Sequence, residues 1–565
     1  MTAVHRSFGT MRLLAALLFC VALNAAAKTP RAPGAAAIAA AHPAAIAAGE
    51  EILAAGGNAF DAAVAVSAAL AVVEPYSSGL GGGGFWLLHR AKGKRDVFID
   101  ARETAPGAAH PDMFRGADGK ILPSASLDGP LAAGIPGHPA GMVHIASRYG
   151  RLPLARSLAP AIRLAEEGVL AHTRLTLGLR FRRAAAQKSP AFMALYYPNG
   201  ELPAEGVRLR NPDLAATLRR LAAGGFDGFY RGETAEKLVA GVRAGGGIWT
   251  LKDLAGYRVI EREPIRSTYR DATLVSAPLP SAGGIALANM LNMLDGFDLA
   301  RLDAVTRKHV LVEVMRRAYR DRTLYLGDPA FSKPPVGQLL HPFYAAGQRA
   351  SIRLDRATPS TALPASLPDA SEGRDTTHFS IIDREGNRVG GTLSINTWYG
   401  SAYVPPGTGV ILNNEMDDFT VEAGVANWYE LIGSDANVIE PGKRMLSSMS
   451  PTFVESPRGV AIVGTPGGSR IITMVLLATL DWLDGGDAAR MVALKRFHHQ
   501  FYPDMVDYED GALTVDEIAG LEQRGHKLRR NERSYGNMNV VTWDYASNKV
   551  EAATDPRGPV AGEVY

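Results

Sequence analysis

The chain has 565 residues, of which 47% are apolar, so it can bury a large core and is too long for a minimal single domain. Its formal net charge of +3 is small, and its lysines and arginines are spread along the sequence mostly as single residues or pairs. The sequence holds no lysine- and arginine-dense tract of the kind that binds nucleic acid, so small molecules or peptides are the more natural partners.

The N-terminus has the pattern of an export signal. Basic residues precede an apolar run over 13–23, and Ala25-Ala26-Ala27 supplies a cleavage site of small residues. Because the run is too short to cross a bilayer, we expect a cleaved signal over 1–27, a periplasmic or secreted mature protein, and no membrane span in it. The only cysteine, Cys20, leaves with the signal, so the mature protein is expected to have no disulfide, no thiolate nucleophile and no cysteine metal site.

Two helices are predicted after the signal. Residues 42–58 are alanine-rich and end at two glycines, and residues 59–75 are apolar nearly all round and stop at a proline, which predicts a buried second helix. The glycine loop at 79–84 then leads into a strand, and residues 95–106 are its predicted hairpin partner. The loop lacks the Lys-Ser/Thr of a phosphate loop, so we interpret it as tight backbone packing.

The middle of the chain changes character at one linker. Residues 122–353 are predicted to be mostly helical, with loops at 134–141 and 278–284. Residues 357–375 are low in large apolar side chains and rich in turn formers, so they cannot bury enough surface to order themselves. We therefore expect a mobile linker there.

Strands dominate the sequence beyond the linker. Residues 376–468 alternate strand patterns with glycine turns, a helix is predicted at Ile471–Leu483, and closing strands are predicted at 540–543 and 550–553. Helices that cover strands in this order indicate an α/β layered domain, with the linker between two parts of one fold.

The first stretch after the linker predicts a β-hairpin with a fixed register. Apolar residues alternate on both sides of 383–387, where Gly386 and Asn387 can adopt positive φ. Closing the turn there pairs residues whose numbers sum to about 770. That register brings Thr376 beside Ser394 and Asn396, so two hydroxyls and an amide share one strand end.

A threonine at this position can act as a nucleophile if the peptide bond before it is cut. A threonine hydroxyl is a weak nucleophile until a base removes its proton, and the sequence presents no Ser/His/Asp arrangement to do so. An N-terminal threonine supplies its own base, because a free α-amino group has a pKa of about 8. The alternative, an uncleaved strand that begins with Thr376, stays open on the hairpin alone.

Several separated motifs together resemble the γ-glutamyltranspeptidase family of the N-terminal-nucleophile hydrolase superfamily. The resemblance runs from about residue 35 to residue 565. It rests on the joint order of these motifs: GGNAFDAAVA, GLGGGGF, ARETAP, DTTHFS, NNEMDDF, LSSMSPT, TPGGSRI, RFHHQ and DPR. The resemblance implies a four-layer αββα sandwich of the α/β class.

The resemblance also implies self-cleavage between Asp375 and Thr376. The products would be a large subunit, 28–375, and a small catalytic subunit, 376–565, which stay intertwined. Thr376 would then take a γ-glutamyl group from glutathione or another γ-glutamyl compound as an acyl-enzyme, which water or the amine of an amino acid or peptide would resolve. The family needs no cofactor and no metal.

The resemblance assigns further residues to this site. It implies an oxyanion hole at Gly467 and Gly468, and a lid over 425–443 with Tyr429 as its covering ring. The donor's α-carboxylate would be held by Arg102, Ser447 and Ser448, and its α-ammonium group by Asp418, Glu415 and Asn396. Ser394 stands where relatives usually have threonine, so the hydroxyl is kept and a methyl group is lost, which puts the rate of self-cleavage in question.

Plainer interpretations of these residues stay open. Arg102 and Glu103 could form a surface ion pair, and Asp417 and Asp418 could belong to a turn. We interpret His378 as a structural side chain. The pair His498-His499 is interpreted in the same way, because the sequence gives it no spaced third metal ligand.

Two other functions also stay open. A cephalosporin-type acylase of the same superfamily would share the nucleophile but need not recognise an amino acid head, and Arg102, Asp418 and the Ser447–Ser448 pair argue against it. An inactive periplasmic binding protein is supported only by Ser394.

Overall fold

The computed structural model describes residues 32–363, 376–422, 425–558 and 562–564. Two antiparallel sheets pack face to face and are covered by helices on both outer sides, which confirms the expected αββα sandwich. In the described ranges no helix is both long enough and apolar enough to cross a bilayer. The expected signal peptide lies outside the described residues.

Within the described residues, the first sheet has seven strands. In spatial order they are Glu563–Val564, Ala37–Ala40, Thr377–Ile382, Arg388–Ser394, Gly83–Arg90, Arg95–Ala101 and Ile260–Arg262. Strands from before and after residue 375 are therefore interleaved within one sheet, and neither part of the chain provides it alone.

The second sheet has six strands in the part of the chain that the structure describes, again from both sides of residue 375. In spatial order they are Val550–Thr554, Asn539–Asp544, Gly459–Gly464, Thr452–Ser456, Ala272–Ser276 and Ile265–Tyr269. Two small sheets lie outside the sandwich: Phe497–His498 with Val506–Tyr508 and Leu528–Arg530, and Val169–Leu170 with Arg208–Leu209.

Helices form the two outer layers and the surface around them. Those on the side of the seven-stranded sheet are Pro43–Ala54, Ala59–Val73, His138–Tyr149, Leu154–Glu167, Pro212–Gly224, Asp227–Tyr230, Gly232–Ala244 and Leu251–Gly256. Those on the side of the six-stranded sheet are Gly283–Leu294, Ala304–Tyr325, Val336–Leu339, Pro342–Ala350, Ile471–Leu483, Ala488–Ala493 and Val515–Gln523. The helices Thr173–Ala186 and Pro190–Tyr196 build a separate cluster rich in aromatic side chains.

The alternation of side chains along a strand decides which layer each residue enters. In the strand Gly83–Arg90, Phe85 and Leu87 join the core between the sheets, whereas Trp86 and Leu88 join the core beneath the outer helices. Both faces of this central strand are buried, which explains its nearly continuous apolar sequence.

Most predicted elements are confirmed, but the stretch 122–353 is less helical than expected. Besides two strands of two residues each, it contains three strands between residues 260 and 276. Ile260–Arg262 and Ile265–Tyr269 are edge strands of the two large sheets, and Ala272–Ser276 is the neighbour of the second of them. Side chains such as Arg266 and Thr268 are exposed there, so the apolar alternation that marks a strand is diluted.

The start of the predicted linker is ordered, contrary to expectation. Ser360 is buried, accepts a hydrogen bond from Arg316 at 2.7 Å and donates one to the Phe501 carbonyl at 2.6 Å. Its N–H donates to Asp504 Oδ2 at 2.7 Å. Polar contacts, which no apolar pattern reveals, hold this segment. The rest of the linker, from residue 364, lies outside the described residues.

A buried histidine between the sheets makes stability depend on pH. Burial lowers the pKa of His378 to about 3, and its ring contacts Thr392 Oγ1 at 2.8 Å and Ser380 Oγ at 3.1 Å. The unfolded chain takes up this proton near pH 6.5, about the ordinary histidine value. His378 therefore stabilises the fold fully above that pH and progressively less as the pH falls towards 3.

We expect the stability advantage of the wild type over His378→Gln to shrink by about 2 kcal/mol when the pH is lowered from about 7 to about 5. Urea titrations of both proteins at the two pH values measure this difference, in which the contributions of the other titrating groups cancel. An advantage that stays constant with pH would show that His378 is equally protonated in the folded and unfolded states.

Candidate active site

Thr376 directly precedes the strand Thr377–Ile382 at one end of the sandwich. The observed pairs Leu393 with Thr377 and Arg388 with Ile382 both sum to 770, which confirms the predicted register. Alternation along the strand turns Thr377 towards the helix layer, where its hydroxyl donates a 2.7 Å hydrogen bond to the buried Glu74 carboxylate. Thr376 is thereby directed to the opposite side, towards the second sheet.

The glycine loop at 79–84 packs against the backbone at the end of the neighbouring strand Arg388–Ser394 and at Ile411. A Cβ on Gly82 would lie 2.1 Å from the Ser394 carbonyl oxygen, and one on Gly81 would lie 2.0 Å from that of Ile411. Only glycine permits this approach, so the loop packs tightly beneath the site as its sequence predicts.

One arginine and three carboxylates form a charge cluster beside the strand end. Arg102 Nη1 lies 2.7 Å from Glu415 Oε2, and Arg102 Nη2 lies 2.5 Å from Asp418 Oδ2. Glu103 Oε2 lies 3.6 Å from Arg102 Nη1. Arg102, Glu103 and Glu415 are buried, and only 12% of the Asp418 side chain is exposed. Arg102 and Glu103 thus belong to the interior of the site and are not a surface ion pair.

Burial is the largest influence on the pKa of each carboxyl group in this cluster. It raises the pKa of Glu415 to about 7, opposed by Arg102 and reinforced by Asp418. It also raises the pKa of Asp418 and that of Glu103. Because three acidic groups surround Arg102, the cluster either keeps a proton or attracts a further cation. The ammonium group of a ligand would be such a cation.

Serines and a second arginine complete the wall of the cluster. The buried Ser448 hydroxyl has no hydrogen-bond partner among the described residues, whereas Ser447 Oγ accepts a bond from the Met449 N–H at 3.1 Å. Arg322, from the helix Ala304–Tyr325, is close enough to Asp418 to oppose the rise in its pKa. A carboxylate bound beside Arg102 would therefore find an unused hydroxyl donor at Ser448.

A glycine turn enters the site from the second sheet. It connects the strand Gly459–Gly464 to the helix Ile471–Leu483. Gly467 and Gly468 have φ of 144° and 55°, values that disfavour other residues. The turn carries its backbone N–H groups to the start of the helix, where the helix dipole is positive and an oxyanion is favoured.

Tyr429 packs its ring on Gly468 and is fixed at its hydroxyl. A Cβ on Gly468 would lie 2.3 Å from the ring, and the hydroxyl donates a 2.6 Å hydrogen bond to the Asn396 carbonyl. The Asn396 N–H donates to Ser394 Oγ at 2.7 Å, and the Ser394 hydroxyl also interacts with Glu415. A chain of contacts therefore runs from the predicted lid to the charge cluster.

One narrow cavity of about 20 Å³ brings most of the predicted site together. Gly467 lines a neighbouring cavity instead, and Asp375 lies outside the described residues. The volume admits about one water molecule, so a larger ligand must move Tyr429 or displace a contact of Arg102. The predicted residues that line the small cavity are Arg102, Thr376, Ser394, Asn396, Glu415, Asp418, Tyr429, Ser447, Ser448 and Gly468.

Sequence reasoning missed two residues of the charge cluster. Glu103 adjoins Arg102 in the ARETAP motif, and this adjacency was the only signal for it. Arg322 lies on a helix distant in sequence, and only the packing of that helix brings it to the cavity. No local pattern distinguishes it from a surface arginine.

Histidines away from this site are engaged in structural contacts. His498 contacts Thr473 Oγ1 and Gln500 Oε1, each at 2.8 Å. A second group, His309, Glu313 and His526, has metal-ligand spacing. Its two rings contact each other at 2.7 Å, and Glu313 pairs with Arg317 at 2.6 Å. These partners already use the atoms that would bind an ion.

Comparisons with known proteins agree with this geometry. A family model for gamma-glutamyltranspeptidase matches residues 45–565. The chain is 43% identical over 523 residues to a glutathione hydrolase proenzyme of Pseudomonas sp. (strain A14), with 91% of each protein covered. It is 38% identical over 514 residues to a glutathione hydrolase proenzyme of Escherichia coli (strain K12), with 90% of this chain and 88% of that protein covered.

A solved structure whose name gives a different activity has the same fold. A cephalosporin acylase from Bacillus halodurans superposes with a TM-score of 0.82 at 29% identity, and the match covers 95% of this chain and 96% of that one. The family model and the sequence relatives both span nearly the whole length, and the chain therefore belongs to the γ-glutamyltranspeptidase family of enzymes.

Proposed function

We propose that the protein is a self-processing γ-glutamyl transferase and glutathione hydrolase whose nucleophile is Thr376. The observation that carries this proposal is the single cavity that contains Thr376 together with Arg102 and the carboxylates of Glu415 and Asp418. An α-amino acid head carries one carboxylate and one ammonium group, and this cavity provides charges of both signs. Release of nitroaniline from γ-glutamyl-p-nitroanilide tests the activity.

Processing would begin with attack of Thr376 Oγ on the Asp375 carbonyl carbon. The C–N bond breaks, the nitrogen takes a proton, and an ester joins Asp375 to the Thr376 side chain. Water then hydrolyses the ester, which frees the Asp375 carboxyl group and leaves Thr376 with a free α-amine and hydroxyl. The interleaved strands of the two parts support an assembly that stays together after the cut.

Donor recognition would exchange contacts within the charge cluster. The donor's α-carboxylate would bind the planar guanidinium of Arg102, in place of a carboxylate that now contacts it, and would accept a hydrogen bond from Ser448. The α-ammonium group would lie near Asp418 and Glu415, where it balances their negative charge. Asn396 would add an amide contact from the lining of the cavity.

Acyl transfer would then use the threonine and the glycine turn. The α-amine accepts the Thr376 hydroxyl proton as Oγ attacks the γ-carbonyl carbon, and passes a proton to the departing amine. Backbone N–H groups at Gly467 and Gly468 would stabilise the negative oxygen of the tetrahedral intermediate. Water, or the amine of an amino acid or peptide, resolves the acyl-enzyme, and no step needs a cofactor.

The expected location of this activity is outside the cytoplasm. The sequence pattern over 1–27 supports a cleaved export signal and a periplasmic or secreted enzyme. N-terminal sequencing of the large subunit from the native host checks this, and a large subunit that still carries residues 13–23 would contradict it.

An acylase activity is the second candidate, since a cephalosporin acylase shares the fold. Such an enzyme need not bind an ammonium group, whereas the excess of carboxylates around Arg102 favours a substrate that carries one. Comparison of γ-glutamyl-p-nitroanilide with glutaryl-p-nitroanilide, which lacks only the α-amine, separates the two. We expect turnover of the first and little of the second.

The closed lid with Tyr429 is expected to affect how the acyl-enzyme is divided between water and amines. Tyr429→Phe removes the hydrogen bond to the Asn396 carbonyl and keeps the ring on Gly468. We expect a looser lid, and therefore a rise of about three- to tenfold in the ratio of hydrolysis to transfer at a fixed acceptor concentration. Quantification of free glutamate against transfer product measures the ratio; an unchanged ratio would mean that the hydroxyl does not hold the lid.

A further inference from the structure

The strand end that carries Thr376 is paired more fully on one side than on the other. The ladder to the strand Arg388–Ser394 begins at Thr377. The ladder to the strand Ala37–Ala40 begins two residues later, at Phe379. Self-cleavage would in addition break the bond that joins Thr376 to the preceding residue. The side chain of Thr377 is therefore well placed to decide where Thr376 points.

A buried carboxylate holds the Thr377 side chain. The Thr377 hydroxyl donates to Glu74 Oε2 at 2.7 Å, and the Tyr76 hydroxyl donates to Glu74 Oε1 at 2.9 Å. The backbone of Glu74 is fixed as well, because its N–H donates to the Leu70 carbonyl at 2.9 Å at the end of the helix Ala59–Val73. Since a buried carboxylate that loses a donor is destabilised, these hydrogen bonds hold one geometry.

The same helix is tied to the opposite end of the strand. The Ala59 N–H donates to Asp383 Oδ2 at 2.9 Å, and Asp383 Oδ1 accepts a 3.0 Å hydrogen bond from the Asn387 N–H within the hairpin turn. At about 1.5 Å per residue, the helix spans about 22 Å from Ala59 to Glu74. The strand spans about 20 Å from Thr377 to Asp383, at about 3.3 Å per residue. The buried helix thus matches the strand in length and holds it at both ends.

These two hydrogen bonds join the two proposed subunits. The helix precedes residue 375 and the strand follows it. Among the described residues that line the small cavity, neither Glu74 nor Thr377 is present. Both therefore lie behind the nucleophile, where they can act on the reaction only through Thr376.

We propose that Glu74 is a positioning residue for the nucleophile. By holding Thr377 from the helix side, its carboxylate keeps the Thr376 hydroxyl, and after cleavage the α-amine, directed towards the small cavity. The inference rests on the proposed function and adds to it a residue that touches no substrate. Because attack requires the reacting atoms to meet within a narrow range of distance and direction, a loose strand end slows the chemistry without weakening donor binding.

Thr377→Val tests the proposal, because it removes the hydroxyl and keeps the shape of the side chain. We expect kcat for γ-glutamyl-p-nitroanilide, per molecule of small fragment formed, to fall about tenfold and KM to change less than about twofold. Thr377→Ser keeps the donor and should retain most of the wild-type kcat. Steady-state kinetics of the cleaved protein gives both parameters, and denaturing electrophoresis gives the cleaved fraction.

Tyr76→Phe is the matched control. It takes the other hydroxyl from the same buried carboxylate, so its melting temperature should fall about as much as that of Thr377→Val. Its kcat should stay close to that of the wild type, since Glu74 still holds Thr377.

The outcomes separate the positioning role from the proposed function. With normal wild-type turnover, an unchanged kcat in Thr377→Val, or an equal loss of kcat in Thr377→Val and Tyr76→Phe, would overturn the positioning role alone. If the valine variant yields no folded protein, Thr377→Ala repeats the measurement with a smaller side chain. If the wild type releases no nitroaniline, the proposed function fails and the positioning role with it.

Discussion

The Thr376→Ala protein is expected to remain one unbroken chain and to lose at least about 10⁴-fold of the wild-type γ-glutamyl turnover. Alanine has no hydroxyl to attack the Asp375 carbonyl, so the proposed mechanism allows neither processing nor acyl-enzyme formation. Because Thr376 precedes the strand and its side chain is small, the fold should persist with an unchanged circular dichroism spectrum. Denaturing electrophoresis and release of nitroaniline measure the two effects.

Thr376→Ser is the matched control for this prediction. It keeps the hydroxyl and, after cleavage, the α-amine, so it should process and turn over, more slowly than the wild type. Ser394→Thr provides a second control, since it keeps the hydroxyl and adds a methyl group, and we expect it to process at least as fast as the wild type. Cleavage of Thr376→Ala at the same bond would show that another residue performs the attack.

The Arg102→Ala protein is expected to lose about 10²- to 10³-fold in kcat/KM for γ-glutamyl-p-nitroanilide, mainly through KM. The guanidinium is buried and contacts both Glu415 and Asp418, so its loss removes the proposed partner of the donor's carboxylate and leaves buried acidic groups unpaired. We also expect a lower melting temperature, because these carboxyl groups must take up protons to remain buried.

Variants of the same cluster separate binding from stability. Arg102→Lys keeps the charge without the planar fork and should recover stability more fully than KM. Asp418→Asn should raise KM for donors that carry an α-ammonium group and should lose little stability, because it relieves the excess of acidic groups around Arg102. An unchanged KM in both Arg102→Ala and Asp418→Asn would favour the acylase over the γ-glutamyl enzyme.

The hairpin that carries the proposed nucleophile could be predicted from the sequence because its determinants are local. The turn at 383–387 determines the register, and the register determines which side chains meet at the strand end, as the pairing of Leu393 with Thr377 confirms. The long buried helices and the central strands were predictable for the same reason, since their apolar patterns are continuous.

Features that depend on long-range packing could not be predicted. Arg322 reaches the charge cluster only through the packing of its helix, and Tyr429 and Gly468 meet in the small cavity from separate segments of the chain. The strands at 260–276 were missed because exposed side chains interrupt their apolar alternation, and Ser360 was missed because polar contacts order it. The motifs identified the small cavity, whereas the neighbouring cavity that Gly467 lines emerged only from the fold.

The proposed mechanism requires cleavage to turn the backbone nitrogen of Thr376 into the amine that serves as its base. Intact-mass analysis and N-terminal sequencing of active, purified protein measure this cleavage. We expect two fragments in equal amounts, the smaller one beginning with Thr376-Thr377-His378, and activity that appears at the rate of cleavage. A single uncut polypeptide that turns over γ-glutamyl-p-nitroanilide at the full rate would contradict it.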